Sequence, residues 1–549
     1  MGADQPVGVC SVCTGVSTQV FPWGEQRQLD MLFVIDNSMS MLEEQFLLRT
    51  QFPSLMSELD RLPGGRPDVH IGVTNTDLGT YPYGTDWCSD SDGGRLLVPA
   101  ECGNPVEGAT FIVDADPQGC SVQRQEDGSC TAQSCDVSHC AHEPNTRFVV
   151  TDQGCPRCRN FIHESLADTF SCVGNVGTEG CGFEQPLEAI ALALSPSTTE
   201  NEGFLRPRSV LAVIIISDED DCSASSARLF SEDTEELGLF DSYRCFEYGV
   251  TCDVNDRTTE GVRSHCLPRG DPQALLHPVE RYVDILLEHR PASRLVVAAI
   301  TGRPERSEPG PGYDVSVEPS DDDSARLKPA CTALSDGTTS TADPAVRLRY
   351  LVESIHPPED LGWAFTSICE EDYSLALQGI GSRLRGLIEH QCLSEPLHGC
   401  ADPGAAFGQP ADTCAENDTC APVCDVVAKS PGSGGPPVLT SLPRCLEVCA
   451  DGPCLTNQDP LAAYAGGFPD PVDPDLPVPA CWTIGHHPDC SAAKGAELLV
   501  SFREQPSPET EVTISCETIA GVEQDCEDGL DNDEDCLVDQ DDPDCPEAL

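Results

Sequence analysis

Between residues 29 and 392 the chain alternates unbroken apolar runs with stretches whose apolar residues return every three or four positions. The run "MLFVI" (31–35) has no polar interruption, which its length and lack of alternation mark as a buried strand. "DVHIGVTNTDLG" (68–79), "VLAVIIIS" (210–217) and "RLVVAAI" (294–300) read as further strands. Leu48, Phe52, Leu55, Met56 and Leu59 share one helical face, with Asn37 or Ser38 placed to cap that helix and Pro53 expected to kink it. Leu187, Ile190, Ala191 and Leu194 recur at helical spacing after Pro186, a residue suited to a first turn. "VERYVDILLEHR", residues 346–355, and the series Leu377, Ile380, Leu384, Leu387 and Ile388 complete the helical segments. This order predicts an α/β fold: a doubly wound, mostly parallel sheet with helices on both faces.

Cysteine-rich stretches interrupt the pattern and divide the chain. Residues 1–25 form a Cys-bearing lead-in, and 26–395 the main domain. Residues 80–165, with eight cysteines, read as a disulfide-rich insertion into it. Residues 396–470 are a Pro/Gly/Cys-rich linker containing "SPGSGGPP" (430–437). Residues 471–519 carry "ELLVSF" and "EVTIS" between Cys481 and Cys516 and read as a small disulfide-bonded β module. An Asp-rich tail, 520–549, closes the sequence.

Charge narrows the partners. Lys and Arg total 31 against 93 Asp and Glu, a formal charge of -62, which repels nucleic acid and anionic lipid and attracts hard cations. The 32 cysteines include only two C-x-x-C pairs, Cys10/Cys13 and Cys155/Cys158, so disulfides of an oxidising compartment explain them better than zinc knuckles. The expected location is extracellular or on the cell surface or outer envelope. The opening "MGADQPVGVC" has neither a basic start nor an apolar run, so it is not a signal peptide as it stands, and a leader is expected outside this sequence. No run of 18 apolar residues predicts a transmembrane segment, which puts any lipid or surface tether outside this sequence too.

Open parallel sheets bind ligands beyond the carboxyl ends of their strands. Three segments bring oxygen-bearing side chains there. Asp36, Ser38 and Ser40 follow the first strand, Thr178 sits in a Gly-rich loop before a helix, and Asp218 closes the most apolar strand. Carboxylates with neutral hydroxyls suit octahedral coordination of a hard divalent cation that keeps waters and leaves a position open for an incoming carboxylate. "LDMLFVIDNSMSM", "VGTEGCGFEQPLEA" and "VLAVIIISDEDDCS" resemble the von Willebrand factor A-type domain and its metal-ion-dependent adhesion site (MIDAS). The resemblance is closest to the cysteine-rich secreted versions of predatory and social soil bacteria, and covers about two thirds of the chain. It implies that family's Rossmann-like fold and a Mg²⁺ or Mn²⁺ held by Asp36, Ser38, Ser40, Thr178 and Asp218. Met39 stands where many relatives have Gly, and Glu219, Asp220 and Asp221 follow Asp218 in place of the usual Gly, extra carboxylates that would tighten the metal, favour Ca²⁺ or discourage an acidic ligand.

The tail offers a second pattern. With Asp531 as position one of a twelve-residue calcium loop, Asp533, Asp535 and Asp542 fall on ligand positions and Leu537 on the backbone-carbonyl position. It resembles the Asp-rich loops of EF-hand-like, dockerin and thrombospondin repeats, and a metal-binding motif common at the C-termini of bacterial surface proteins, and implies Ca²⁺ there. Cys536 replaces the turn Gly and Asp542 the bidentate Glu.

The function expected is adhesion or protein binding, with a divalent cation engaging an exposed carboxylate on a protein partner. The alternative is an envelope protein that metals and disulfides merely rigidify. A metal-dependent hydrolase is the weaker reading, and no enzyme is expected, since H-E-x-x-H, G-x-S-x-G and a Cys with a matched catalytic His are all lacking.

Overall fold

The computed structural model describes residues 15–22, residues 27–393 apart from short stretches, and strands between 424 and 518. Contacts divide the chain into two compact units, Arg27–Glu389 on one hand and Met1–Gln26 with His390–Leu549 on the other.

The first unit is built on an eight-stranded sheet. Its strands in chain order are β1 (Gln28–Ile35), β2 (Asp68–Asn75), β3 (Ile112–Ala115), β4 (Arg147–Val150), β5 (Pro156–Arg159), β6 (Val210–Ile216), β7 (Leu295–Thr301) and, after a hairpin of β8 (Cys331–Ser335) and β9 (Thr338–Ala342), β10 (Phe365–Ser367). The spatial order is β10-β7-β6-β1-β2-β3-β5-β4. The helices are α1 (Leu42–Leu59), α2 (Leu166–Val173), α3 (Pro186–Leu194), α4 (Glu280–His289), α5 (Val346–Ile355) and α6 (Ser374–Glu389).

The expectation of a doubly wound, mostly parallel, Rossmann-like sheet is overturned. Parallel pairing is confined to five neighbouring strands: β2 with β1, β1 with β6, β6 with β7, and β7 with β10. Every other pairing among the described residues is antiparallel, including β3 on β2, β5 on β3 and β4 on β5, and it fills six further sheets. The cause lies in residues 80–165. They do not loop out of the sheet as an insertion but supply three of its strands, each only four residues long and too short to show a period. Of these, β4 and β5 are joined by a connection of only five residues, too short for the crossover that a parallel return needs, so that pair is antiparallel of necessity.

An apolar run buried on both faces of the sheet sends alternate residues to opposite sides. Leu32 and Val34 of β1, with Leu211, Val213 and Ile215 of β6, pack against α3, α4 and α5. Phe33 points the other way, where its ring lies 6.0 Å from Phe52 of α1 and 4.7 Å from Phe170 of α2, and those two rings stack at 3.9 Å. All five apolar residues expected on the inner face of α1 are buried, and the helix runs unbroken through Pro53.

Nine disulfides join described cysteines. Cys155 bonds Cys130 and Cys158 bonds Cys140, so this C-x-x-C pair is not a zinc knuckle. Such a framework persists in an oxidising compartment, compatible with an extracellular location. No described helix is long and apolar enough to cross a membrane.

The second unit contains a four-stranded antiparallel sheet that joins Gly15–Pro22, Glu511–Thr518, Cys424–Ser430 and Val438–Leu442. This departs from the expected boundaries, since the lead-in and the supposed linker each contribute a strand or more to the sheet, and Cys516 bonds Cys424 across two paired strands. The tail, with Asp531, Asp533, Asp535, Leu537 and Asp542, lies outside the described residues.

Candidate metal-binding site at the strand ends

Strands β1 and β6 end side by side, with Ile35 opposite Ile216, and their last turns meet where the Asp36 N–H donates to the Ile216 carbonyl at 2.9 Å. Apolar burial up to Ile35 and Ile216 fixes both backbones, so the polar residues that follow are carried on rigid supports.

Asp36 is fully buried. Its Oδ1 accepts from the Ser38 N–H at 2.7 Å, and its Oδ2 from the Ser217 hydroxyl at 2.8 Å. The Ser38 and Ser40 hydroxyls lie 3.0 Å apart. Ser38 stands at the N-cap of the short 3-10 turn Met39–Met41, yet its side chain makes no capping bond. The helix-cap reading of these serines therefore fails, and both hydroxyls remain at the strand end.

Asp218 is 6% exposed; one of its carboxylate oxygens engages the Ser40 hydroxyl, while Oδ1 is buried without a partner. Asp218 and Ser40 line a cleft of about 560 Å³, whose far wall is the β8–β9 hairpin with Thr339, Ser340 and Thr341. The Asp343 N–H, just after the hairpin, donates to the Asp218 carbonyl at 2.8 Å. Cys331 at the start of the hairpin is bonded to Cys369.

The Thr178 loop is drawn to the same place by its backbone. Gln45 of α1 donates from Nε2 to both the Asp36 and the Gly177 carbonyls, each at 2.8 Å. The Gly180 N–H donates to the Asn37 carbonyl at 2.8 Å. A Cβ on Gly180 would come within 2.4 Å of Asn37 Oδ1, so a larger residue there would have to displace the Asn37 side chain. Thr178, half-buried, stands between these two anchors.

The electrostatics are one-sided. Burial first, against hydrogen bonds from Ser38 and Ser217, raises the Asp36 pKa. Burial and then repulsion from Asp36 hold the Asp218 carboxyl well above the ordinary range. Glu184, fully buried and held by the Thr76 hydroxyl, is raised by burial, Asp36 and Glu219, and its Oε1 has no partner. Glu219 is raised by burial, Asp343 and Asp218. No basic side chain is among the groups acting most strongly on these four.

Of the three acids after Asp218, only Glu219 lines the cleft. Asp220 accepts from the Arg347 and Leu348 N–H groups and caps the N-terminus of α5. Asp221 pairs with Arg347 in the interior. The expectation that all three would bear on a metal is corrected, since two are spent on the fold.

Sequence reasoning missed Glu184, Ser217 and Gln45. Glu184 lies within the "VGTEGCGFEQPLEA" segment, and its acid between Phe183 and Gln185 was the available signal. No group of three or more His, Cys, Asp or Glu side chains arranged to hold a metal occurs among the described residues. The donor set is two carboxylates with hydroxyls, a combination that would suit Mg²⁺ or Mn²⁺, and Asp218 Oδ1 has no other partner.

No protein-family model matches the chain, and no curated protein does. Among solved structures the pilus adhesin RrgA from Streptococcus pneumoniae aligns at 9% identity over 92% of this chain and 58% of its own, with a TM-score of 0.17. The chain thus spans less than two thirds of that adhesin, and the likeness is too slight to bear on fold or function.

Proposed function

We propose that the strand-end cluster binds a hard divalent cation, Mg²⁺ or Mn²⁺, and through it a carboxylate on a protein partner outside the cell. The observation that carries this reading is Asp218 Oδ1, buried and without a partner beside the Ser38–Ser40 hydroxyl pair. A lone buried carboxylate oxygen is costly unless something positive meets it. In this reading Asp36 and Asp218 supply negative charge, and Ser38, Ser40 and Thr178 supply neutral oxygens. Gln45 and Ser217 hold the loops in place. The ion contributes Lewis acidity toward an incoming carboxylate.

The cleft is the route by which that carboxylate arrives, and Met39 and Leu42, both largely exposed at its rim, give a partner apolar contact beside the charge. Asp343 and Glu219 also line it, so a partner bearing a single acid is favoured over an acidic tract.

A pull-down from cell-envelope extracts with the full chain, with Mg²⁺ and with EDTA, tests the reading. Capture of a protein in Mg²⁺ that EDTA and Ser38→Ala/Ser40→Ala both abolish supports it. Equal capture in all three conditions overturns it.

A further inference from the structure

The β8–β9 hairpin forms a two-stranded sheet of its own, so β9 is paired on one side only. Its sequence, "TTSTA" (338–342), is rich in β-branched threonine and has neither the charge nor the proline that ordinarily blunts such an edge.

The ladder decides which groups face outward. The Ala342 carbonyl accepts from the Ala330 N–H at 2.8 Å, so Ala342 turns its polar backbone toward the chain that leads into β8. Successive residues of an antiparallel strand turn theirs to alternate sides. Ser340 therefore also faces β8, while Thr339, Thr341 and Asp343 face away. Asp343 obeys this alternation, since its N–H donates to the Asp218 carbonyl at 2.8 Å. Thr341 stands at most about 7 Å along the chain from that residue. The outward N–H and C=O groups of Thr339 and Thr341 meet no partner among the described residues. Both residues are exposed, and both line the cleft of about 560 Å³ together with Ser40 and Asp218.

The edge is held in place. Cys331 at the foot of β8 is bonded to Cys369, the Ser340 hydroxyl engages the Glu44 carboxylate of α1, and the Ala345 N–H donates to the Gly302 carbonyl at 2.9 Å. A fixed edge of free donors and acceptors is a template for one more strand, whose backbone supplies the complementary groups. The Asp218 loop occupies the first outward position, at Asp343, and the next two are open. A strand added there ends against the metal centre. Charge restricts its sequence: Glu43, Asp218, Glu219 and Asp343 line the cleft without any Lys or Arg, so the residues flanking the coordinating acid are neutral or basic. On the cation reading above, we propose that the partner binds as an extended segment that adds a strand to β9 and carries one carboxylate to the ion.

Fluorescence anisotropy with the full chain in Mg²⁺ tests this, with labelled linear octapeptides of Ser, Thr, Val and Lys that carry one Asp at successive positions. At least one should bind saturably and be released by EDTA. N-methylation of that peptide at every second residue, in each of the two registers, then reads the ladder. One register should weaken binding about tenfold and the other less than about twofold, since only alternate N–H groups face β9. Thr339→Pro removes one outward N–H and spares the bonds to β8, so it should also weaken binding about tenfold while its Mg²⁺ titration matches wild type. The peptide scan leaves the protein unaltered and so decides the matter even if that variant folds poorly. Four results overturn the added strand and leave the cation reading standing, given a wild type that titrates Mg²⁺: no linear peptide binds, both registers act alike, a cyclic peptide holding Asp in a tight turn binds more tightly than the linear one, or Thr339→Pro with its Mg²⁺ site intact binds as wild type does. A wild type that binds no cation, or peptide binding that EDTA leaves unchanged, overturns both.

Discussion

The Ser217 hydroxyl donates to Asp36 Oδ2 at 2.8 Å and ties the end of β6 to the end of β1 in a fully buried contact. The same oxygen accepts from the Glu219 N–H at 3.1 Å, so one side chain sets both the carboxylate and the loop that follows Asp218. Replacing Ser217 by Ala leaves Asp36 with one fewer hydrogen bond inside an already anionic cluster. Urea unfolding of Ser217→Ala in EDTA should show a loss of about 1–3 kcal/mol. An unchanged midpoint would mean that this bond holds nothing together.

Arg347 and Asp221 form the one ion pair among the described residues in which neither side chain is exposed at all, with Nη2 2.9 Å from Oδ2. Arg347 also donates to the Gly249 carbonyl at 3.2 Å and the His277 carbonyl at 2.7 Å. Arg347→Met strands a buried carboxylate and should cost about 3–5 kcal/mol in denaturant unfolding. Adding Asp221→Asn should recover part of that loss, because the uncompensated charge goes with it. If the double variant is no better than the single one, the carbonyl contacts carry the effect and the charge pair does not.

Burial pushes the Asp343 carboxyl up to about 7, with repulsion from Asp220 added and Arg326 opposing. An unfolded Asp titrates near pH 3.9, so between about pH 4 and pH 7 the folded chain keeps a proton that the unfolded chain has released. The charge of Asp343 thus costs stability fully above pH 7, and the cost fades as pH falls toward 4. Asp343→Asn removes it. In EDTA the variant should melt higher than wild type at pH 8 and at the same temperature near pH 4. A stabilisation that does not vary across this range would contradict the raised pKa.

Four strands of the main sheet and five of its six helices, all but α2, were legible in the sequence, for a physical reason. A strand covered on both faces must be apolar throughout, as in "MLFVI", and a helix lying on a sheet must repeat every three to four residues. The antiparallel strands β3, β4 and β5 left no such trace. Each has four residues, and "PRCR" in β5 carries more charge than apolar surface, because Arg157 and Arg159 pair with the buried Asp114. The alternation that remained visible therefore exaggerated the parallel character of the sheet. At the site, Asp36, Ser38, Ser40 and Asp218 stood out because polarity breaks abruptly there. Ser217 was hidden at the end of "VLAVIIIS", and the wall of Thr339, Ser340 and Thr341 lay in a polar stretch without a period.

The most direct test of the strand-end centre is a calorimetric titration of Mg²⁺, Mn²⁺ and Ca²⁺ into wild type and Ser38→Ala/Ser40→Ala, with melting followed in parallel. The double variant keeps the whole acidic tail, so the difference between the two proteins isolates the centre. One saturable event for Mg²⁺ or Mn²⁺ is predicted in wild type, with a raised melting temperature, and both should be lost in the variant. Indifference of the wild type to all three cations, or equal binding by the two proteins, would contradict it.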